Sequence, residues 1–354
     1  MKANIRILTL DDAALWQAAL ERAPGGCEPF FQPAFYAVSQ RQVGGTPECF
    51  VFEADGEIAV YPYLRRRLNT LRFLPSDSPL CDITGGYGYN GAVASSDNEG
   101  FLRCFRDAFR VHCEATHVLT EFVRFHPLLR NSRFFAPNCT IEVQNQNVAV
   151  NLRRPLPEIR AGYEYSCRKN INKAEREGVR TFIEEGLEGH FDEFLRIYRG
   201  TMARVGAGQD YAFARAYFEQ LAEVLNPPPV FVYAEYRGRI VSCEMALCSP
   251  HIIYSYLGGT DADAFPVRPN NALKDDLIRW AHEAGREWYL MGGGSRPGDG
   301  IFRYKRTFAL DGVVDFEIGR CIYNPTAYEE VICRWQASSS SRGADNTRLQ
   351  CYWE

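Results

Sequence analysis

The sequence lacks most of what would mark it as something other than a globular protein. No stretch approaches the roughly 18 uninterrupted apolar residues of a membrane-spanning helix, and the opening "MKANIRILTLDDAALW" has no apolar signal core. Positive charge is not in excess: the formal net charge is −4 and the pI about 6.0. That argues against a dedicated nucleic-acid binder but leaves room for a local basic groove. The twelve cysteines are scattered, with no CxxC pair and no Cys/His cluster at zinc spacing, so neither a metal finger nor a disulfide framework is expected. A reduced, cytoplasmic, soluble protein without metal follows from these absences.

What is present suits two domains. The chain has 354 residues, 46% hydrophobic and 24% charged, enough for two cores. "NIRILTL" alternates like a strand, and Asp11 or Asp12 can cap the helix that follows. "ECFVFEADGEIAVYPYLRRR" reads as a hairpin around Asp55-Gly56. "GFLRCFRDAFRVHCEATH" is an amphipathic helix leading into the strand "VLTEFVRFHP". The second half repeats the order: two helices, a three-stranded meander over "VFVYAEYRGRIVSCEMALCSPHIIYSYLGGT", the helix "PNNALKDDLIRWAHEAG" capped by Asn270 or Asn271, and the strand "REWYLMGGG". The reading is a mixed α/β protein of two similar modules. It places the first at 1–152, the second at 153–311 after "RRPLP", strands from about 312–335 returning to the first, and a loosely held polar tail at 336–354.

This order, with "TGGYGYNGAV", "EFVRFHPLL", "SCRKNINKAEREGV", "YLGGTDADAFPVRPNNALKDDLIRWAHEAG" and "MGGG…GIFRYKRTF", resembles the GNAT acyltransferase fold used twice. More specifically it resembles the Fem family of aminoacyl-tRNA-dependent transferases and their FemAB-like relatives. The resemblance covers most of residues 30–320 and implies two tandem GNAT-like domains facing each other across a cleft. It further implies a donor that is an aminoacyl ester on tRNA, an amine acceptor, and no cofactor beyond the charged tRNA. Such an enzyme needs no serine or cysteine nucleophile, only alignment of amine and ester and a cation for the oxyanion.

The family's F-K-x-x-F segment reads "FRYKRTF" here, which gives Lys305 the oxyanion role. In an extended segment Phe302, Tyr304 and Arg306 would share one face and Arg303 and Lys305 the other. Tyr304 could then stack on the terminal adenosine while Arg303 and Arg306 meet acceptor-stem phosphates. Arg168, Lys169 and Lys173 stand near the start of a helix, where cations oppose the macrodipole and call for a negative partner. That partner is either the tRNA backbone or the helix's own Glu175 and Glu177. Tyr87 and Tyr89 on a Gly-rich loop suit a pocket wall, and Asp82 just before them could hold or deprotonate an ammonium nucleophile. The resemblance suggests Thr201, Arg204, Tyr211, Tyr254 and Tyr256 for the acceptor pocket, while His126 reads as a buried, satisfied histidine.

Two departures shape the expected substrates. An acyl-CoA enzyme of this fold uses a Gly-rich turn whose amides meet a pyrophosphate, but here Pro266 and Pro269 remove donors from that connection. The cell-wall members' W-x-x-[VL]-K lysine is missing from "PAFYAVSQRQVGG", which favours a small amine such as a peptide or nucleoside over a UDP-linked peptidoglycan precursor. The readings left open are tRNA-dependent amide formation, N-acyl transfer from acyl-CoA or a carrier-protein thioester, and a binding protein that has lost catalysis. A monomer is expected.

Overall fold

In chain order the first elements are β1 (Ala3–Leu8), α1 (Ala13–Glu21), α2 (Pro33–Val43), β2 (Thr46–Ala54), β3 (Glu57–Arg67) and β4 (Cys81–Thr84). They continue with β5 (Val93–Ala94), α3 (Glu99–Ala115), β6 (Val118–Arg124), β7 (Thr140–Asn151), α4 (Leu156–Ala161), α5 (Tyr165–Arg176), β8 (Arg180–Glu185) and α6 (Phe191–Val205). Then come α7 (Arg215–Val224), β9 (Val230–Tyr236), β10 (Arg239–Cys248), β11 (Ile252–Thr260) and α8 (Pro269–Glu283). The last are β12 (Trp288–Gly292), α9 (Gly300–Arg306), β13 (Val313–Ile322) and α10 (Pro325–Ala337). This computed structural model describes residues 3–135, 139–208, 213–338 and 348–353.

Two compact units divide the chain, Met1–Gln144 with Phe316–Glu354, and Asn145–Asp315. The divisions fall within β7 and β13 rather than at the "RRPLP" break, because β7 runs on to Asn151 before the proline-rich turn interrupts it.

In the first unit β1 to β4 form an antiparallel run, β6 joins β4 in parallel, and β13 pairs antiparallel with β6. Asp55 and Gly56 turn the β2–β3 hairpin with φ of 51° and 86°, the left-handed pair such a turn requires. Asn98 caps α3 by accepting from the Phe101 amide, and Phe101, Phe105, Phe109 and Cys113 recur every fourth residue on its buried face. Burying each phenylalanine contributes about 1.5–3 kcal/mol.

In the second unit β8 to β11 are antiparallel, β12 joins β11 in parallel, and β7 pairs antiparallel with β12. Its core lies between this sheet and the helices α5 and α8, with Leu273, Leu277 and Ile278 against Val232, Val241 and Ile253. Both units thus follow one plan: strand, two helices, three-strand meander, helix, parallel strand.

Two expectations are corrected here. Cys139 and Cys321 form a disulfide across 182 residues, a separation that gives no spacing signal. Part of the tail is also well packed: Leu349, Cys351 and Tyr352 are buried, and the Tyr328 hydroxyl donates to the Leu349 carbonyl at 2.8 Å. No helix among the described residues is long and apolar enough to cross a membrane. The disulfide should contribute about 2–4 kcal/mol. Thiol titration of the denatured protein should count ten free cysteines before reduction and twelve after, since ten are free in the fold; twelve before reduction would show the bond absent.

Candidate functional site

The parallel pairing of β11 with β12 runs only from Ile252↔Trp288 to Tyr254↔Leu290. Beyond that point β11 continues to Thr260 alongside β10, while β12 keeps to β7. The strands therefore part at Ser255, and a buried polar ring marks the place. Lys274 of α8 is 6% exposed, and its ammonium donates to Glu244 of β10, to Ser255 Oγ at 3.0 Å and to the Tyr289 hydroxyl at 2.8 Å. Tyr289 in turn donates to the second Glu244 oxygen at 2.5 Å. All three ammonium protons find acceptors, as a buried lysine requires.

Lys305 stands beside this ring on α9. The segment is a helix and not the extended strand end expected from its alternating aromatic and basic residues. Asp299 decides this: its carboxylate accepts from the Phe302 amide at 2.8 Å as N-cap, and from the Ser295 and Arg296 amides. Burial pushes the Asp299 carboxyl up, but those amides outweigh it and hold it at about 2. Gly292 leaves β12 with φ 73°, and a Cβ on Gly294 would overlap the Asp299 carboxylate. The glycine run is thus a tight joint. On α9 Phe302 is buried, while Tyr304 is half-buried and donates to the Asn270 carbonyl at 3.0 Å. Arg303 and Arg306 are exposed, so the helix sorts its cations outward and its aromatics inward.

The Lys305 ammonium donates to the Gly293 carbonyl at 2.7 Å, its one hydrogen-bond acceptor among the described residues. Burial, and then the Lys274 charge, push Lys305 down to about 7, against the opposite pull of Glu244 and Asp299. A lysine in this state has unspent donors for an incoming oxygen and changes charge near neutral pH.

The other predicted residues fall into separate groups. On α5, Arg168 donates to the Ala161 carbonyl at 2.9 Å and to that of Tyr163, whereas Lys169 is exposed and Lys173 half-buried. The amide of Glu164, just before α5, donates to the Thr307 carbonyl at 2.8 Å, which sets this basic helix beside the end of α9. Tyr254 and Tyr256 lie on the sheet face opposite Ser255. Tyr256 pairs its hydroxyl with Tyr217 of α7, and Arg204 donates to the Thr260 carbonyl at 3.0 Å near Thr201. Thr201, Arg204 and Tyr256 thus join α6 and α7 to the end of β11. Tyr211 lies outside the described residues.

In the first unit, Tyr89 packs among Phe30, His126 and Phe316, Tyr87 is half-buried, and burial pushes His126 down to about 3. Asp82 differs from expectation. It is 0% exposed, accepts a two-pronged bond from Arg66 at 2.9 Å on each oxygen, and accepts from Tyr352 and Trp353 of the chain's end. A carboxylate so engaged anchors the tail and has no room for an ammonium nucleophile. Among the described residues Glu121, Cys139 and Cys321 have metal-like proximity, but the sulfurs are bonded to each other and Arg106 and Tyr323 hold the carboxylate.

Sequence reasoning missed Lys274 and Glu244. A signal was available: the chain has only five lysines among its 40 basic residues (40 − 5 = 35 arginines). Buried cations elsewhere, Arg66 and Arg106, are arginines, so two lysines close enough for one charge to act on the other stand apart from the rest. Lysine is the cation whose proton burial can loosen.

Two outcomes test these assignments. Asp82→Ala leaves Arg66 buried without its counter-charge and should cost about 3–5 kcal/mol in denaturant unfolding; an unchanged midpoint would show the anchor to be idle. The Lys305 pKa of about 7 lies below the roughly 10.4 of an unfolded chain. Between these values the native state binds fewer protons, so this residue's contribution is fullest above about pH 10 and is lost as pH falls toward 7. Lys305→Met should therefore raise the Tm at neutral pH and flatten the pH dependence of Tm relative to the parent.

Comparison with known proteins agrees with this architecture. Residues 162–306 match the family model described as "Acetyltransferase (GNAT) domain", the stretch from just before α5 to the end of α9. No curated protein sequence matches the chain. Among solved structures, FemX superposes with a TM-score of 0.66 at 13% identity, covering 92% of this chain and 99% of that one. The L-PGS of Bacillus licheniformis gives 0.56 at 13% identity, covering 91% and 96%. The C-terminal domain of a putative lysylphosphatidylglycerol synthetase from Agrobacterium fabrum gives 0.55 at 14%, covering 92% and 99%. The protein thus has the FemABX-like fold of two GNAT-type units, and its second unit carries the match to the GNAT acetyltransferase domain.

Proposed function

We propose that the protein is an aminoacyltransferase that takes an aminoacyl group from charged tRNA and forms an amide on a small amine acceptor, such as a peptide or nucleoside. The observation that carries this reading is Lys305, which has one carbonyl partner and unspent donors beside the parting of β11 and β12. The acceptor amine attacks the ester carbonyl carbon, a C–N bond forms, and the C–O bond to the terminal ribose breaks. The amine gives up a proton and the ribose oxygen gains one. Lys305 meets the oxyanion as an ammonium held in place before reaction, which is where such a group lowers the barrier.

Surrounding features fit a nucleic-acid donor better than coenzyme A. α8 begins at Pro269, which has no N–H, and the Asn271 amide is already used by the Arg268 carbonyl at 3.1 Å. The helix end that would meet a pyrophosphate is poor in free donors. Arg303 and Arg306 on α9, with Lys169 on adjoining α5, are exposed cations beside Lys305 that suit backbone phosphates. The similar folds include the C-terminal domain of a putative lysylphosphatidylglycerol synthetase. No lysine stands in or near α2 to meet the phosphates of a UDP-linked precursor, which favours a small acceptor.

Incubation with a pool of tRNAs charged with labelled amino acids, and a library of small amines, should give new labelled amides by mass spectrometry. RNase treatment should abolish them. Lys305→Ala should fold and lose about two to three orders of magnitude in rate. Product formation from acyl-CoA, with a Tm raised by coenzyme A and not by an acceptor-stem mimic, would instead establish the thioester reading.

A further inference from the structure

The ring around Lys274 is more than a satisfied buried ion pair. Its position is set by the same elements that place Lys305. Tyr304 is anchored to the Asn270 carbonyl in the first turn of α8, and Lys274 follows one turn later on that helix. Gly292, three residues beyond Tyr289 on β12, lies so that a Cβ there would be 3.5 Å from Lys305 Nζ. Two lysine side chains from α8 and α9 therefore converge on the end of β12. They do so in a chain that uses arginine for nearly every other cation. The charged and titratable groups around Lys305 among the described residues are Lys274 on α8, Glu244 on β10, Tyr289 on β12 and Asp299 before α9. On its own helix are Tyr304 and the exposed Arg303 and Arg306.

Lys274 cannot reach out of this ring, because its three donors are committed. Its charge is fixed in place next to a half-buried lysine whose ammonium donates to one carbonyl. Like charges close together in a low-dielectric site each oppose the other's protonation, and a paired carboxylate tempers that repulsion.

We infer that Lys274, locked by Glu244, Ser255 and Tyr289, is a positioning residue that governs the charge of Lys305, making Lys305 a proton carrier as well as an oxyanion partner. In the transfer step Lys305 would pass its proton to the departing ribose oxygen and take one from the newly bonded nitrogen, so that it ends as it began. The chemical role rests on the aminoacyl-transfer reading. The control of Lys305 by Lys274 and Glu244 does not, and it is tested without turnover.

The chain's five lysines permit a direct measurement. Full-length protein labelled with ε-13C-lysine gives few enough signals to assign by substitution, and the Lys305 signal is followed against pH by NMR. Lys274→Met leaves the Glu244 carboxylate facing Lys305 alone and should raise its titration midpoint by about one pH unit or more. Glu244→Gln leaves the Lys274 charge untempered and should lower the midpoint. The double variant Lys274→Met/Glu244→Gln removes both charges and keeps the shape, so it serves if either single variant fails to fold; its midpoint should lie between the two shifts and above that of the parent. Opposite shifts in the single variants, or the raised midpoint in the double, support the coupling. Shifts of the same sign, or a Lys305 midpoint unmoved in every folded variant, overturn it even if aminoacyl transfer is demonstrated. A coupling that is present in a protein without transfer activity would leave this inference standing and remove only its catalytic consequence.

Discussion

An ammonium taken out of water must find acceptors for all its protons, and in the second unit this demand falls at the point where two parallel strands cease to pair. Lys274 meets it with one residue from each neighbouring strand, Glu244 on β10, Ser255 on β11 and Tyr289 on β12. Strands that have separated keep a fixed spacing only if something spans them. Here the span is a closed ring of hydrogen bonds among Lys274, Glu244, Ser255 and Tyr289. The Gly292–Gly294 joint, the N-cap at Asp299 and the short helix α9 then bring Lys305 to the same place.

The first unit has the same plan and a different outcome. Its parallel pair, β4 with β6, carries the row Arg66, Asp82 and Thr120 across three strands. That row is covered: Gln350 bridges Arg66 and the Ile83 carbonyl, Tyr352 reaches Thr120 and Asp82, and the Arg66 guanidinium lies 4.4 Å over the Trp353 ring. Farther along, the Asn90↔Phe125 bridge restores parallel pairing. One copy of the fold has kept its opening and lined it with lysine. The other has closed it with the chain's own end and uses arginine, which binds a carboxylate with two prongs and does not part with its proton.

Much of this was legible in the residues because it is local. Asp55-Gly56 can make only a tight reversal, and phenylalanines spaced by four on "GFLRCFRDAFRVHC" can face a core only as a helix. The role expected for Asp82 failed because its partners are Arg66, Tyr352 and Trp353, at separations where no pattern in sequence speaks. The disulfide between Cys139 and Cys321 was hidden for the same reason. "FRYKRTF" misled in another way: a run that alternates aromatic and basic residues fits a strand's period as well as one face of a short helix, and Asp299, three residues upstream, breaks the tie. Lys274 sits in "KDD", which reads as a solvated helix face until tertiary packing turns it inward.

The second unit is wholly contained between two stretches of the first, since the chain leaves at Gln144 and returns at Phe316. On the ribosome the nested unit is therefore complete before its host can be. Until residues 318–322 emerge, β6 has no partner along the side that β13 will occupy. For that interval a nascent chain of more than three hundred residues carries an open sheet edge of the kind that invites pairing between molecules. The nested arrangement thus leaves that edge of β6 unpaired until β13 is synthesised.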